Sequence, residues 1–296
     1  MIVAVASGKG GTGKTTVAAS LATIWDGPLV AVDLDVEEPN LHLFLHPTIE
    51  GSEPAYIEVP VVDASRCTYC GTCSDLCQFK AISVMGKLVL TFPEMCHGCG
   101  GCIALCPEKA ISPGTRELGE ISWGRAGHGG RVGFLMGRLR VGEAMSPPFM
   151  RLVKAKLNGM IAVSPRDAII DAPPGVSCPA VNAVLDSDLV LLVTEPTPFG
   201  FYDFQLAWEA FTPLGKPVAA VINRAGLGND EIYRFCRDKE IPILAEVPYD
   251  RAIAEAYSRG LVIAEVSPAL KRTFVGLRDK IRTLAAQSRV MEAAHA

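Results

Sequence analysis

Short runs of consecutive apolar residues alternate with helix-like stretches along most of the chain. The first run, at residues 2–6, leads through a glycine-rich turn into a helical pattern at residues 15–24. Further apolar runs follow at residues 29–32, 168–170, 188–193, 217–222 and 241–247. Helical patterns separate most of them, at residues 204–211, 229–238 and 251–258. Unbroken apolar runs are typical of parallel strands buried on both faces. The pattern therefore predicts an α/β fold with a doubly wound, mostly parallel sheet.

The alternation stops between residues 63 and 112, where cysteines, glycines and short turns dominate. We interpret residues 63–112 as an inserted module, and residues 1–62 and 113–296 as two parts of one domain that closes around it. The stretch after the insert is rich in glycine and contains Arg116, Arg125, Arg131, Arg138 and Arg140. Two interpretations of it stay open: a mobile surface for a partner, or an irregular β-hairpin with solvated arginines.

Composition narrows the class of protein. The 296 residues are 49% hydrophobic and 20% charged, with a formal net charge of -4. A negative chain is a poor electrostatic partner for nucleic acid. The first residues, MIVAVAS, lack a basic segment typical of signal peptides, and no apolar run reaches membrane-spanning length. The final RTLAAQSRVMEAAHA lacks a strong basic and apolar helix face. We therefore expect a cytoplasmic protein with no nucleic-acid binding and no membrane insertion.

The segment SGKGGTGKTT at residues 7–16 matches the P-loop pattern, and it follows an apolar strand and opens a helix, as that motif requires. Glycines allow backbone N–H groups to face phosphate oxygens, and the helix N-terminus adds positive potential. Lys14 is expected to reach the β- and γ-phosphates, and the Thr15 hydroxyl to bind Mg²⁺. We predict binding of ATP or ADP by Gly8, Lys9, Gly10, Gly11, Thr12, Gly13, Lys14, Thr15 and Thr16.

A second lysine, Lys9, gives the loop the form GKGGxGKT. This form resembles the deviant Walker A motif of the ATPase group that includes MinD, Mrp and the nitrogenase iron protein. In that group the early lysine crosses a dimer interface to the partner's nucleotide. The resemblance implies an ATP-dependent homodimer in which Lys9 and Lys14 both serve catalysis. The alternative is that Lys9 is a solvated loop lysine.

Three aspartates follow apolar strands, where phosphoryl transfer requires charge neutralisation and water orientation. Asp33 and Asp35 lie in VAVDLD, and Asp171 opens DAPPG. By the same resemblance, Asp35 positions the attacking water and Asp33 lies near Mg²⁺. Asp171 then belongs to a second switch, where an aspartate and nearby backbone report on the γ-phosphate and Mg²⁺. The segment EEPNL resembles the first switch, with Asn40 as a contact.

The resemblance also implies a site for the adenine base. Asn223 and the adjoining Arg224 lie in AAVINR, and Pro248 lies in EVPYD, at positions that typically contact adenine in the family. Each match is weak by itself, because an asparagine after a strand is also typical of a cap or turn.

Eight of the ten cysteines form two runs of matching spacing within the insert: Cys67, Cys70, Cys73 and Cys77, then Cys96, Cys99, Cys102 and Cys106. In a reducing compartment, clustered cysteines more often bind metal than form disulfides. The spacing resembles bacterial ferredoxins with two [4Fe–4S] clusters, in which the fourth cysteine of each run binds the other cluster. This similarity implies a small ferredoxin-like α+β domain.

The ferredoxin resemblance assigns one cluster to Cys67, Cys70, Cys73 and Cys106, and the other to Cys96, Cys99, Cys102 and Cys77. Gln78 departs from the pattern, because a proline usually follows the fourth cysteine. The repeated AIS segments at residues 81–83 and 110–112 agree with an internal two-fold repeat. Zinc is the alternative, although zinc sites usually have two separated pairs of ligands.

Three further residues have open interpretations. His97 lies inside a cysteine loop and either faces solvent or binds or tunes a cluster. Cys236 is interpreted as a small core residue on a helix. Cys178 follows Asp171 by the distance at which the nitrogenase iron protein has a cysteine that binds a cluster shared across its dimer. It is interpreted either as a buried thiol at the start of a helix near Pro179 or as a redox or metal contact at a dimer axis.

The combined motifs resemble an ATPase of the MinD superfamily with an inserted ferredoxin domain. The first hypothesis is an ATPase that couples switch motion to electron transfer through two [4Fe–4S] clusters, with a redox protein as partner. The second is a scaffold or carrier, similar to Mrp, that delivers iron–sulfur clusters or metal to an accepting protein. A third is a positioning ATPase similar to MinD.

Overall fold

The computed structural model describes the backbone of residues 1–295, together with the side chains of these residues except His128 and residues 288–295. Its strands are β1 Ile2–Ala6, β2 Leu29–Asp33, β3 Thr48–Val62, β4 Ile82–Met85, β5 Leu88–Thr91, β6 Ile111–Ala126, β7 Val132–Leu139, β8 Asp167–Asp171, β9 Leu189–Thr194, β10 Val218–Ala225 and β11 Ile243–Pro248. Its α-helices are α1 Lys14–Ile24, α2 His42–Leu45, α3 Thr72–Leu76, α4 Gly101–Ala104, α5 Ser146–Val163, α6 Cys178–Val184, α7 Pro198–Phe211, α8 Glu231–Asp238, α9 Arg251–Ser258 and α10 Pro268–His295.

Nine of the strands in this part of the chain form one sheet, in the order β11-β10-β9-β1-β8-β2-β7-β6-β3. The seven strands from β11 to β7 run parallel, while β6 pairs antiparallel with both β7 and β3. Apolar side chains cover both faces of the sheet, with α1 and α10 on one face and α5, α6, α7 and α8 on the other. The predicted mostly parallel, doubly wound α/β fold is confirmed.

Strands β3 and β6 form a long two-stranded ribbon at one edge of the sheet. Ala55 of β3 pairs with Gly119 of β6, which pairs in turn with Leu139 at the end of β7. Beyond this register the ribbon continues for about seven residues, or roughly 23 Å at the usual rise per residue. Because β3 runs parallel to β7, the ribbon extends from the carboxyl edge of the sheet. We call this extension, residues 56–62 with 111–118, the stalk.

Residues 63–110 are inserted at the tip of the stalk and contain the cysteine runs, and Gly98 of the second run lies back against Ile57 of the stalk. Val62 pairs with Ile111 at this tip, so the chain enters and leaves through adjacent strands. Between them lie α3, the β4–β5 hairpin and α4. Strand β6 begins at Ile111, so the last two residues assigned to the insert belong to the stalk.

The basic stretch after the insert agrees in part with the β-hairpin interpretation, because Arg125, Arg131, Arg138 and Arg140 are exposed. A role as a surface for a partner stays a prediction. The stretch forms the regular hairpin of β6 and β7 within the main sheet. Arg116 is buried and forms an ion pair with Glu143, so it is not a solvated arginine. Arg125 is exposed and pairs with Glu50 at 3.0 Å.

No helix in the described part of the chain is long and apolar enough to cross a membrane. The prediction about the final segment falls partly on residue 296 and on the side chains of residues 288–295, which lie outside what the structure describes.

Candidate functional site

The P-loop connects β1 to α1 through backbone that only glycine adopts easily. Gly13 has a φ of 96°, and a Cβ atom on it would lie 2.3 Å from Nδ2 of Asn223. A Cβ atom on Gly8 would lie 1.9 Å from the carbonyl oxygen of Asp203. Gly13 therefore serves both backbone geometry and close packing, and Gly8 serves close packing. The Asn223 amide donates a hydrogen bond of 2.8 Å to the carbonyl oxygen of Thr12, which ties β10 to the loop.

A cavity of about 370 Å³ opens above the P-loop. The predicted residues that line it are Gly10, Gly11, Gly13, Lys14, Thr15, Thr16, Asp35, Asn40, Asn223, Arg224 and Pro248. The lining that the sequence did not indicate comes mainly from the loop after β11 and from α9, and comprises Tyr249, Asp250, Ile253, Ala254 and Tyr257. Gly8, Lys9, Thr12, Asp33 and Asp171 lie outside this lining. The volume lies within the range of small-molecule sites.

Asp33 and Asp171 lie at the ends of neighbouring strands and pair directly in register. Asp33 is fully buried and accepts hydrogen bonds from the backbone N–H groups of Asp35, Asn40 and Leu41, at 3.1, 2.9 and 2.8 Å. Burial and the nearby charge of Asp171 raise the pKa of Asp33 well above its usual value. Asp33 therefore fixes the loop that follows β2.

Asp171 is 1% exposed, and neither carboxylate oxygen has a hydrogen-bond partner among the described residues. Burial raises its pKa to about 7, and the neighbouring Thr15 and Lys14 offset part of that effect. A buried carboxylate without a partner is costly. A cation next to the Thr15 hydroxyl would satisfy it, so the donor set fits Mg²⁺. Burial similarly raises the pKa of Asp35 to about 6, against the opposing charge of Lys14.

Lys9 forms an ion pair with Glu195, whose side chain is 8% exposed, at 2.9 Å between Nζ and Oε1. Arg224 pairs with the other carboxylate oxygen at 2.6 Å, and the Thr197 hydroxyl donates to Oε1 at 3.2 Å. Lys9 is therefore held by Glu195 within this chain, and its contact across a dimer stays a prediction. Glu195 was not among the predicted site residues, although a carboxylate directly after an apolar run, in VTEPT, was a usable signal.

Asn223 and Arg224 lie beside the cavity with groups already engaged inside the chain. The Asn223 side-chain oxygen accepts a hydrogen bond of 2.9 Å from the backbone N–H of Arg224. Arg224 has a φ of 54°, and its Nη2 lies 3.4 Å from the carbonyl oxygen of Gly11. A contact of Asn223, Arg224 or Pro248 with adenine stays a prediction.

The cysteines of the insert are free thiols that line two separate cavities. The lining of one includes Cys67, Cys70, Cys73 and Cys106. That of the other includes Cys77, Cys96, Cys99 and Cys102, and Cys73 lines both. These are the two ligand sets that the ferredoxin resemblance implied. No three His, Cys, Asp or Glu side chains that the structure describes lie close enough to hold a single metal ion.

The two cysteine runs share their backbone geometry. Backbone N–H groups approach the sulfur atoms of Cys67 and Cys96 at 3.4 and 3.5 Å, and those of Cys77 and Cys106 both at 3.3 Å. Positive φ angles recur at matching positions, in the pairs Tyr69 and Gly98, Gly71 and Gly100, and Lys80 and Lys109. Hydrogen bonds to cysteine sulfur are among the features that tune iron–sulfur clusters. The donor set and its repeat therefore fit two such clusters.

Three single residues had open interpretations from the sequence. His97 is half-buried and stacks on Phe79 with ring centroids 3.5 Å apart, so the interpretation of a histidine simply facing solvent is wrong. Cys236 is 1% exposed on α8, as predicted for a core residue. Cys178 begins α6 as expected near Pro179, but it is exposed, so the interpretation as a buried thiol is wrong for this chain alone.

Comparison with known proteins identifies relatives of the whole fold. Residues 3–263 match the family described as the CobQ/CobB/MinD/ParA nucleotide binding domain. The chain is also 34% identical over 287 residues to uncharacterized protein MJ0578 of Methanocaldococcus jannaschii, which covers 95% of this chain and 96% of the relative.

Solved structures share the architecture. The septum site-determining protein MinD of Pyrococcus horikoshii OT3, complexed with Mg-ADP, matches with a TM-score of 0.59 and 22% identity over 96% of each chain. The MinC:MinD cell division protein complex of Aquifex aeolicus matches with a TM-score of 0.54 and 13% identity, over 95% of this chain and 96% of the other. At these identities the likeness shows a shared fold.

Proposed function

The chain belongs to the CobQ/CobB/MinD/ParA nucleotide-binding family, and from that premise we propose that it is a Mg²⁺-dependent ATPase that couples its switch segments to electron transfer through two [4Fe–4S] clusters. Residues 1–62 and 113–296 form the ATPase domain in this proposal, and residues 63–112 form the ferredoxin-like domain. The working form is an ATP-dependent homodimer with a redox protein as partner.

The residues of the nucleotide cavity support the ATPase half of the proposal. Lys14 binds the β- and γ-phosphates, while the Thr15 hydroxyl and the carboxylates of Asp171 and Asp33 hold Mg²⁺ directly or through water. When bound, Mg²⁺ neutralises charge that develops on the phosphates. Asp35, with its pKa near 6, is largely ionised at pH 7 and can orient the attacking water. Lys9 leaves Glu195 and reaches the nucleotide of the second protomer.

One observation carries the redox half: two cavities, each lined by the four cysteines of one implied ligand set. Cys67, Cys70, Cys73 and Cys106 hold one cluster, and Cys77, Cys96, Cys99 and Cys102 hold the other. When bound, such clusters store and release single electrons, at potentials set by hydrogen bonds and burial. The spacing, three cysteines two residues apart plus a fourth instead of two separated pairs, supports this assignment over zinc.

Two other functions share the same ATPase domain. A positioning ATPase is the function closer to the MinD proteins whose fold this chain shares. A scaffold that delivers clusters to an accepting protein also uses the cysteine module, but it requires that a cluster leave in an ATP-dependent manner. The cysteine cavities favour electron transfer or delivery over positioning, because positioning gives the eight thiols no role.

Anaerobic purification with iron counting and EPR spectroscopy, with and without Mg-ATP, tests the proposal. Two clusters predict roughly eight irons per chain and a spectrum that responds to the nucleotide. Retention of both clusters during reduction of an acceptor supports electron transfer. ATP-dependent loss of a cluster to an apo-acceptor supports delivery instead, and a chain that binds ATP without iron supports positioning.

Matched cysteine variants separate the two cavities. Cys70→Ser and Cys99→Ser each change one exposed thiol in a different cavity, and each is expected to remove about half of the iron. Cys236→Ala changes a buried thiol far from both runs in sequence and serves as the control. Unchanged iron in both serine variants would contradict the assignment.

Cys178 is proposed as a metal or redox contact at the dimer axis. Its exposure, seven residues after Asp171 on the segment that nucleotide would move, supports this role. Cys178→Ser is expected to leave the eight-iron content of the monomer intact. The proposal fails if the variant also leaves the metal content and EPR spectrum of the ATP-bound dimer unchanged.

A further inference from the structure

The start of helix α5 lies where the two switch segments meet. A cavity of about 170 Å³ is lined there by residues 34–38, of which Glu37 and Glu38 begin the first switch. Pro173 and Pro174 of the second switch, Ser177 just after it, and Ser146 and Met150 of α5 also line this cavity. Ser146 is 2% exposed, and its hydroxyl donates a hydrogen bond to Oε1 of Glu37. The first switch is thus joined to the first residue of α5.

The loop before α5 is joined in turn to the stalk. One carboxylate oxygen of Glu143 accepts hydrogen bonds of 3.0 Å from the backbone N–H groups of both Ala144 and Met145. Its other oxygen pairs with Arg116 of β6, and the two side chains are 3% and 9% exposed. A buried ion pair of this kind strongly resists separation, because removal of either partner leaves an uncompensated charge.

The position of the Arg116 guanidinium depends on Glu143. Its Nε and Nη2 atoms are buried without hydrogen-bond partners among the described residues, so Glu143 alone compensates the guanidinium. Movement of Glu143 would therefore move Arg116 or expose it. Arg116 faces Ile57 of β3 in the stalk register, and Gly98 of the second cysteine run lies against Ile57, where an added Cβ would be 3.2 Å from Ile57 Cβ.

We propose that Glu37, Ser146, Glu143 and Arg116 form a polar relay that carries movement of the first switch to the stalk, and so to the loop that contains Cys96 and Cys99. The proposal rests on the proposed function, because ATP must bind and move the switch. It assigns nucleotide sensitivity to the second cysteine cavity rather than the first. The contacts from Glu37 to Arg116 form one continuous path, so a change in the first switch at one end affects the stalk at the other.

Hydrogen–deuterium exchange measured on the full chain tests the relay. The probe is a non-hydrolysable ATP analogue with Mg²⁺, and the reporters are peptides that cover residues 96–102 and 111–118. In the unmodified chain, the analogue is expected to change exchange protection of both peptides by about fivefold or more, the lower end of typical couplings. Ser146→Ala is expected to reduce that change to less than about twofold while the chain still binds the analogue.

Two further variants keep the test independent of folding defects. Glu37→Ala removes the same hydrogen bond from an exposed position, so it is expected to reproduce the loss without a change in the core. Ser122→Ala is the matched control. Ser122 is a buried serine, as Ser146 is, but it lies on β6 and its hydroxyl bonds to Glu120 outside the relay. This variant is expected to retain the full response.

The outcomes separate the relay from the function on which it rests. Failure of the unmodified chain to bind the analogue would overturn the proposed function. Binding without a change at residues 96–102 and 111–118 would overturn the relay alone. A full response in both Ser146→Ala and Glu37→Ala would also overturn it.

Discussion

At the scale of single residues, Glu195 is the contact that holds Lys9 within its own chain. Glu195→Gln keeps the shape but removes the charge that Lys9 and Arg224 share. We expect the free energy of unfolding to fall by about 1–2 kcal/mol, because charge-assisted hydrogen bonds become neutral ones. ATP-dependent self-association should become stronger, since Lys9 no longer has to leave a carboxylate. Urea unfolding and sedimentation with Mg-ATP measure the two effects.

Glu209→Gln is the control for this change, since it removes the same charge from an exposed position on the neighbouring α7. It should alter neither measurement. Weaker self-association in Glu195→Gln would mean that Glu195 supports the dimer contact of Lys9 instead of competing with it.

The raised pKa of Asp171 predicts how stability depends on pH. Its folded pKa, about 7, lies above the ordinary 3.8, so the folded nucleotide-free chain binds more protons than the unfolded chain between these values. Stability should therefore fall as pH rises from about 4 to about 7, at up to 1.4 kcal/mol per pH unit for one group. Asp171→Asn should flatten this fall and be the more stable protein at pH 8. It should also lose the stabilisation that Mg-ATP gives the unmodified chain.

Thermal unfolding at pH 5 and pH 8, with and without Mg-ATP, measures both effects. Bound Mg²⁺ should remove much of the pH dependence in the unmodified chain, because it neutralises the buried carboxylates. An Asp171→Asn variant that is less stable than the unmodified chain at pH 8 without nucleotide would contradict the assignment.

Site residues could be predicted from the sequence where they lie close together along the chain. The P-loop was predictable because its glycines, lysine and threonine form one continuous segment whose chemistry depends on that spacing. Glu195 was missed because its partners, Lys9 and Arg224, meet it only when β1, β9 and β10 become neighbours in the sheet. The relay through Ser146 and Glu143 depends on the same kind of non-local packing.

At the scale of elements, the second cysteine loop contacts the stalk at one of its two left-handed glycines. Gly98 and Gly100 both have positive φ angles, of 65° and 70°, in the same loop. A Cβ on Gly98 would press on Ile57 at 3.2 Å, whereas a Cβ on Gly100 would meet nothing within 4 Å. Gly100→Ala should therefore cost about 1 kcal/mol of backbone strain, while Gly98→Ala adds crowding against β3. Iron content and thermal unfolding of the anaerobic protein should fall further in Gly98→Ala.

Gly100→Ala is thus the control that measures the cost of a side chain at a positive φ without crowding. Equal losses in the two variants would show that strain alone matters and that the loop does not bear on the stalk. Tyr69 occupies the position in the first run that Gly98 occupies in the second, with a φ of 59°, so a side chain is accommodated there.

Burial distinguishes the strands that could be predicted from the sequence from those that could not. Strands β1, β2, β8 and β9 are almost entirely buried, so their apolar runs are unbroken. Strand β3 has mostly exposed residues in its first half and includes Pro54 and Pro60, which count against a strand in sequence-based rules. It tolerates them because it lies at the edge of the sheet. Its stability comes from pairing with β6, a partner distant in sequence.

At the scale of the whole molecule, the insert is attached in a way that predicts its independence from the ATPase domain. Val62 and Ile111 are cross-strand partners, so a two-residue Asn-Gly turn can replace residues 63–110 and close the ribbon as a hairpin. The resulting chain should keep the nucleotide cavity, whose lining comes entirely from outside the insert. We expect it to bind Mg-ATP with an affinity within about twofold of the full chain, the range of changes remote from a site. It should contain no iron.

Calorimetric titration with ATP and iron analysis of the shortened and full chains measure this prediction. Apo full-length protein, with both clusters removed by a chelator under air, controls for loss of metal without loss of chain. If the shortened chain folds but binds ATP much more weakly than the apo protein, the insert contributes to the nucleotide site, and the division into two domains is wrong. If both bind ATP equally, the insert does not contribute to the nucleotide site, as the division into two domains predicts.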